Sequence, residues 1–412
     1  MVSAFMPDDE KLAAVRSALP SLGAGIQLNT GSVGPLPAEA AAAMAQLEAY
    51  ERDMGRADFA YYLEFLQRID EARAGVAAVL GADIAEIALT HATTDGMNVG
   101  TWSVDWQRGD VAVTTTHEHA GGLGPLYALR DRLGIEIRYA AFDGAASDDD
   151  IVAAFDRLIG PGTKLVSLSH VIWTTGMVLP VRRIADLAHQ RGAIVIVDGA
   201  QAAGAIRFSV RDLGVELYAV PGQKWLLGPE GTGAVWVHPD YIGRAQLTFG
   251  GHFAFESYDS TGGSKLFDDA RRFQAIPFHR PSVVGLARSI GWLTMFVGLE
   301  YVYRHGNEMA RYAADRLAEM DGVTLLTPRD RMANLVSFRI AGWPAQAALD
   351  ELAARTFAIA RTLPLVDAVR VSPGFWTSPE ELDRYLDGVR LLAGHTPETI
   401  PPRRTLAILG ES

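Results

Sequence analysis

Short apolar, β-branched runs alternate with stretches of helical periodicity through most of the chain. Seven runs read as strands: Glu86–Thr90, Val111–Thr115, Ile135–Ala140, Lys164–Ser169, Ala193–Asp198, Leu217–Val220 and Gly233–Val237. Helical pattern occupies Leu36–Arg52, Leu66–Leu80, Asp95–Thr101, Gly124–Leu133, Ser147–Leu158 and Val181–Gln190. Strands that alternate with helices imply crossover connections and a mostly parallel sheet. The runs are nearly all apolar, which fits strands covered on both faces. The pattern therefore predicts an α/β fold built on a mostly parallel seven-stranded sheet.

After about Phe249 the pattern changes. Gly250–Phe267 is rich in Gly, Ser and aromatic residues and reads as a long loop. Pro281–Arg304 and Asn307–Met320 read as helices, and Thr324–Thr327, Leu335–Ile340 and Ala368–Ser372 as strands. These make a second, smaller α+β unit. The expected division is an N-terminal arm over residues 1–25 that packs with the small domain, a large domain over 26–280, and a small domain over 281–412.

Composition narrows the function. Of 412 residues, 49% are hydrophobic and 21% charged, enough apolar material for a core and too much for disorder. The absence of Cys removes disulfides, thiolate metal sites and a cysteine nucleophile together. A formal charge of −12 argues against a nucleic-acid partner. The most lipid-like stretch, Ser289–Leu299, is far short of the roughly twenty residues a bilayer span needs, so a buried helix and no membrane partner are expected. Without a basic, apolar leader at the start, the expected location is cytoplasmic. Lys11, Lys164, Lys224 and Lys265 are the only lysines, so a Lys in an unusual setting stands out.

One such setting follows an apolar run, at Pro221-Gly-Gln-Lys224-Trp-Leu-Leu-Gly228. Another strand ends in a carboxylate, at Ala193-Ile-Val-Ile-Val-Asp198-Gly-Ala-Gln201. Ligands of open α/β sheets bind at the carboxyl ends of strands, and an acid buried there needs a cation. Each residue alone would be an ordinary salt-bridged strand end. Together they match the needs of pyridoxal phosphate: a carboxylate to keep the ring nitrogen protonated and a desolvated amine to form the Schiff base. Thr93-Thr94-Asp95 stands where a strand gives way to a helix, and free N–H groups at a helix start bind phosphate. His117-Glu118-His119 ends a further strand, with two His spaced to share one face, but no third metal ligand is evident and no metal is expected.

These segments resemble the pyridoxal-phosphate-dependent class V aminotransferases, the group with cysteine desulfurases, isopenicillin N epimerase and cyst(e)ine C–S lyases. The likeness runs from about Ile26 to Leu392 and is most specific at Asp198-Gly-Ala-Gln201 and Gly-Gln223-Lys224-Trp. The block Ser169-His170-Val-Ile-Trp-Thr-Thr-Gly-Met-Val-Leu-Pro180 is most similar to the C–S lyases. The resemblance implies the fold type I architecture of that group and a homodimer with sites near the interface. It implies Lys224, Asp198 and His119 as catalytic residues, with His119 flat on the cofactor ring. Thr93, Thr94, Asp95, His170, Gln201 and Gln223 join them in holding the cofactor. It also implies an amino-acid substrate held by Arg370, through a fork on the α-carboxylate, with Asn29 and Ser32 from the loop Asn29-Thr-Gly-Ser-Val-Gly-Pro35 at the pocket edge.

Two departures stand out. Pro221 and Pro277 occupy places where the family often has hydroxyl residues near the phosphate, the second reaching the partner subunit's; their loss implies weaker cofactor binding, or replacement by water and neighbouring Arg280. A desulfurase also needs a Cys thiolate to take up sulfur, and this sequence has none. The expectation is a β-eliminating C–S lyase acting on cysteine, cystine or an S-substituted cysteine. The alternatives are a class V aminotransferase, an epimerase, or a non-catalytic binding protein on the same scaffold.

Overall fold

A computed structural model describes residues 3–274 and 277–403. All seven predicted strands form and make one sheet. They are β1 (Ile87–Thr90), β2 (Val111–Thr115), β3 (Glu136–Ala140), β4 (Thr163–Ser169), β5 (Ile194–Asp198), β6 (Leu217–Pro221) and β7 (Gly233–Val237). The spatial order is β1-β7-β6-β5-β4-β2-β3. β7 pairs antiparallel with both neighbours, and every other pairing is parallel. β5, at the centre, reads Ile-Val-Ile-Val-Asp and is buried along nearly its whole length. Residues with no alternation of polarity belong where helices cover both faces.

The arm forms α1 (Asp8–Ser17), and five helices matter for the large domain: α2 (Ala38–Met54), α3 (Phe59–Leu80), α4 (Thr93–Trp102), α5 (Ala120–Leu133) and α6 (Val181–Gln190). α3 starts at an Asp58 cap that accepts the Ala60 N–H and stops at Gly81, whose φ of 68° suits a residue without Cβ. α6 buries Val181, Ile184, Ala185 and Ala188 along one stripe and leaves its Arg and Asp to solvent.

The small domain is a four-stranded antiparallel sheet with helices on it. Its strands are β8 (Val323–Leu325), β9 (Val336–Ile340), β10 (Arg361–Leu363) and β11 (Ala368–Val371), in the order β8-β9-β11-β10. Its apolar cluster centres on Phe338, Val369, Leu382 and Tyr385.

Packing moves the expected domain limits. Ile26 and Leu28 belong to the small-domain cluster, and Ile26–Gln27 pairs with Ala358–Ile359. The helix α7 (Arg280–Gly291) lies against α2 and α3, and its Val283, Leu286 and Ile290 join the large-domain core. The predicted helix Pro281–Arg304 is not continuous. It widens into a π-helical turn over Trp292–Val297, breaks at Gly298 with φ 86°, and restarts as α8 (Leu299–Ala318). Gly250–Phe267, expected as loop, contains an antiparallel hairpin of Phe255–Tyr258 with Ser264–Leu266. Its turn is tied by the Asp259 carboxylate, which accepts the N–H groups of Thr261 and Gly263. Among the described residues no single helix is long and apolar enough to cross a membrane.

The arm docks through α1. Val15 and Leu19 sit in a cluster with Trp292, Tyr301 and Trp376. Arg16 makes two 2.7 Å bonds to the Glu381 carboxylate and a third to Trp376 O at 2.8 Å. Glu381 keeps only 12% side-chain exposure in that pair. Removing its cation leaves a charge with little water, so Arg16→Ala is expected to cost about 1–3 kcal/mol. A chemical denaturation curve measures this, and an unchanged midpoint would show that the arm adds nothing to stability.

Candidate active site

Five strands of the large sheet deliver side chains to one cavity of about 260 Å³ at their carboxyl ends, and the small domain closes it. β5 ends in Asp198. Its Oδ1 accepts the Ala200 N–H at 2.9 Å, and the rest of the carboxylate faces the cavity wall near Gly122. The turn after β6 carries Lys224, a partly buried residue whose amine has no hydrogen bond or ion pair among the described residues. Burial pulls its amine down to about 8; the Asp198 charge opposes that, and Arg370 and Arg361 add to it. A buried amine that is partly neutral near physiological pH is suited to attack a carbonyl and to take up a proton.

Gln201 is clamped at both ends of its amide. The Trp225 indole donates to its Oε1 at 3.0 Å, and its Nε2 donates to Gly31 O at 2.8 Å. This carries the N-terminal loop to the cavity edge, with Ser32 in the wall. His119 caps α5, since its Nδ1 accepts the Gly121 N–H at 3.1 Å, which leaves Nε2 as the protonated nitrogen of the neutral ring. Burial and the nearby Lys224 lower its tendency to take a second proton.

At the other end of the cavity α4 begins. The N–H groups of Thr93 and Thr94 have no acceptor among the described residues. Gly121 lets the Thr94 hydroxyl approach, because a Cβ there would stand 2.6 Å from Thr94 Oγ1. Free amides at a helix start suit a phosphate.

The small domain contributes two arginines. Arg361 on β10 and Arg370 on β11 are paired across the antiparallel ladder, so both point to the same face. Arg370 is 0% exposed. Its Nη1 donates to Trp173 O at 2.8 Å, while Nε and Nη2 are buried without partners. Burial, with Arg361 close by, lowers its affinity for the proton to about 9. Only Gly fits at position 31, where a Cβ would lie 2.8 Å from Arg370 Nη2. Arg361 bonds Ser32 Oγ at 3.0 Å and lies 5.9 Å over the Trp173 ring.

The cavity thus gathers Lys224, Asp198, His119, Thr93, Thr94, Gln201, Gln223, Ser32 and Arg370 from the predicted set. Three members lie outside its wall. Asp95 turns to His91, bonding its N–H at 3.0 Å, and spends its own N–H on Ala92 O. His170 is buried behind the sheet end, 2.8 Å from the Tyr218 hydroxyl, and burial pushes its ring down to about 4. The Asn29 side chain accepts from Ser32 Oγ. His117 and His119 diverge because β2 ends at Thr115, and His117 Nε2 reaches Phe142 O. Arg280 stacks 4.7 Å over Tyr61, beside Glu51.

Arg361, Trp173 and Ser169 are cavity residues that the sequence reading did not single out as site residues. Arg361 sits in a three-residue strand without a distinctive pattern. Its only signal is a short run just before the Arg370 strand.

The residues present fit pyridoxal phosphate. A buried free amine, a strand-end carboxylate with an open oxygen, two unused helix amides and an unpartnered buried guanidinium surround one space. Amine chemistry checks the assignment. In the cofactor-free protein, a small amine-reactive reagent should label Lys224 with a pH midpoint near 8. The exposed Lys265, whose bond to the Glu256 carboxylate holds its amine above the ordinary lysine value, should titrate well above that. Borohydride reduction of the loaded protein should tag the Lys224 peptide. A tag on Lys164 or Lys265 would remove Lys224 from the site.

Comparison with known proteins agrees with this geometry. The aminotransferase class-V family model matches residues 33–363. A probable cysteine desulfurase of Methanothermobacter thermautotrophicus is 29% identical over 330 residues, 79% of this chain and 80% of that protein. The isopenicillin N epimerase of Streptomyces clavuligerus is 29% identical over 391 residues, 90% of this chain and 95% of that one. Among solved structures, C-DES with glycine covalently linked to its PLP cofactor superposes with a TM-score of 0.86 at 27% identity, covering 91% of this chain and 98% of that one. The cystine C–S lyase C-DES in complex with its product cysteine persulfide gives a TM-score of 0.85 at 27% identity, covering 90% and 99%. With four-fifths of its length matched by the family model and a lysine, an aspartate and two free helix amides around one cavity, the chain belongs to the class-V aminotransferases.

Proposed function

We propose that this pyridoxal-phosphate-dependent enzyme cleaves a carbon–sulfur bond in a cysteine derivative by β-elimination. The observation that carries the reading is the pairing of a buried, half-unpartnered Arg370 with a sequence that has no Cys. The arginine calls for a carboxylate substrate. The missing thiolate takes away the acceptor that a desulfurase uses to carry sulfur away.

When bound, the cofactor supplies an electron sink for the pair left on the substrate α-carbon. The chain's residues do the rest. Arg370 receives the α-carboxylate on Nε and Nη2, the two atoms its own fold leaves open. Asp198 would keep the cofactor's ring nitrogen protonated. Lys224 Nζ takes the α-proton as general base, which its lowered proton affinity permits. The Cβ–S bond then breaks, sulfur leaves with the bonding pair, and hydrolysis of the remainder gives pyruvate and ammonia. Trp173 stands edge-on to His119 at 5.4 Å in the cavity wall.

Arg361 favours a substrate with a second acidic group. It adds a cation on the same face as Arg370, in the cavity wall; its Nη1 is tied to Ser32 Oγ and its Nε to Thr362 O, which leaves Nη2 open among the described residues. A disulfide of two cysteines carries two carboxylates and would engage both. The likeness to the cystine lyase C-DES supports the same substrate. A second reading, epimerisation, has support from the end-to-end likeness to isopenicillin N epimerase. An amino-acid panel assayed for pyruvate, sulfide, keto acid and loss of chirality distinguishes them. Pyruvate with a sulfur product is expected. Racemised substrate without pyruvate would replace elimination by epimerisation.

Substrate binding and cofactor binding separate at Arg370. Arg370→Lys should keep the bound cofactor's visible band and lose amino-acid affinity by about tenfold to a hundredfold, because an ammonium cannot reproduce two parallel bonds. Titration of that band with an amino acid, beside a melting curve, checks this. Unchanged affinity with lowered melting temperature would make Arg370 a structural residue.

The same reading includes a homodimer. Tyr50, Met54, Phe59 and Leu63 are exposed on α2 and α3 and the turn between them, and Phe249 and Tyr258 are exposed around the hairpin. Covering such a surface is what a second copy would do. A dimer mass in solution is expected; a monomer that retains cofactor would contradict it.

A further inference from the structure

Glu118 has no part in the chemistry above, yet it is among the most buried acids of the chain, 7% exposed just behind the cavity. It follows β2 and precedes His119. Its two oxygens are each held by one hydroxyl at 2.6 Å: Thr115 Oγ1 at Oε1 and Ser169 Oγ at Oε2. The two ends differ. Thr115 Oγ1 also accepts the His117 N–H at 3.1 Å and does not line the cavity. Ser169 is at the end of β4, opposite Asp198 in the parallel ladder, and it lines the cavity. A hydroxyl has one hydrogen to give. If Glu118 is ionised, Ser169 must donate to it and can only accept from the cavity. If Glu118 keeps its proton on Oε2, that proton goes to Ser169, whose own hydrogen is then free.

We propose that Glu118 is a positioning residue that holds a proton between its Oε2 and Ser169 Oγ, so that Ser169 presents a hydroxyl donor to the cavity beside Asp198. A carboxylic acid kept neutral by its surroundings can serve as a donor. The titratable groups around it are Asp198 on β5, His117 and His119 on its own loop, His170 after β4, and Lys224 across the cavity. His117 is bonded to Phe142 O, and His170, bonded to Tyr218 and pushed down to about 4 by burial, adds no positive charge. Burial first, and the Asp198 charge in addition, hold the Glu118 carboxyl up at about 7, while the two hydroxyls pull the other way. Loss of that proton turns Ser169 from donor to acceptor.

The sign of the stability effect follows. The folded chain keeps the proton above the ordinary carboxyl value of 4.5. This contribution is full below 4.5 and is lost as pH rises through about 7. Glu118→Gln, which has the same shape and cannot ionise, should gain melting temperature relative to the wild type as pH rises through that window. A purely structural role would give a constant difference at every pH.

The direct test uses the full chain, first freed of cofactor and then reloaded with pyridoxal phosphate. Infrared difference spectra taken below and above about pH 7 should show a protonated-carboxyl band that fades with rising pH, is absent in Glu118→Gln and is displaced in Ser169→Ala. This part needs no cofactor, so its failure is distinguishable from failure of the cofactor reading on which the next part rests. In the reloaded protein the visible absorption should show an inflection near pH 7 that Glu118→Gln and Ser169→Ala each abolish, with no further change in the double variant. A missing carboxyl band, a missing inflection in the wild type, or an inflection that survives Glu118→Gln would overturn the proposal.

Discussion

The structure turns on a buried positive charge that the chain itself does not neutralise. Arg370 is wholly enclosed, with one nitrogen bonded to a main-chain oxygen and two left open. A guanidinium in that state costs several kcal/mol of desolvation, which a protein keeps only where a ligand completes it. The surroundings are fitted to preserve the opening. Gly31 leaves room for it, Trp173 orients it from one side, and Arg361 beside it excludes a second use of the same space by a cation. The neighbouring Lys224 is held partly neutral chiefly by burial, and the Arg370 charge adds to that, so the proposed substrate anchor also acts on the proposed base.

That arrangement needs two domains. Asp198, Lys224 and the α4 amides come from strand ends of one mostly parallel sheet, where a shared direction brings their carboxyl ends to one edge. The arginines come from an antiparallel sheet whose ladder places them side by side. The N-terminal loop joins the two: Ile26–Gln27 adds to the small domain, and Gly31 O takes the Gln201 amide of the large one.

The large sheet was legible because each buried strand is a run of β-branched residues with little polar interruption. The strand-end carboxylate and the Lys after β6 were legible for the same reason, since a charge next to such a run has a position in space. Short elements were not. Arg361 sits in a strand of three residues, and the hairpin in Gly250–Phe267 depends on an Asp259 turn that composition does not reveal. Orientation was also out of reach. Asp95, His170 and Asn29 occupy the expected segments, but their side chains find nearer partners in His91, Tyr218 and Ser32. Glu118 read as a possible metal neighbour, and only the fold shows it between two hydroxyls behind Asp198.

The most direct measurement is a crystal structure of the cofactor-loaded protein with a cysteine analogue that binds and does not react. The account predicts the analogue's α-carboxylate between Arg370 Nε and Nη2, with its α-carbon facing Lys224. A carboxylate bound elsewhere, with those two nitrogens satisfied by the protein's own oxygens, would contradict it.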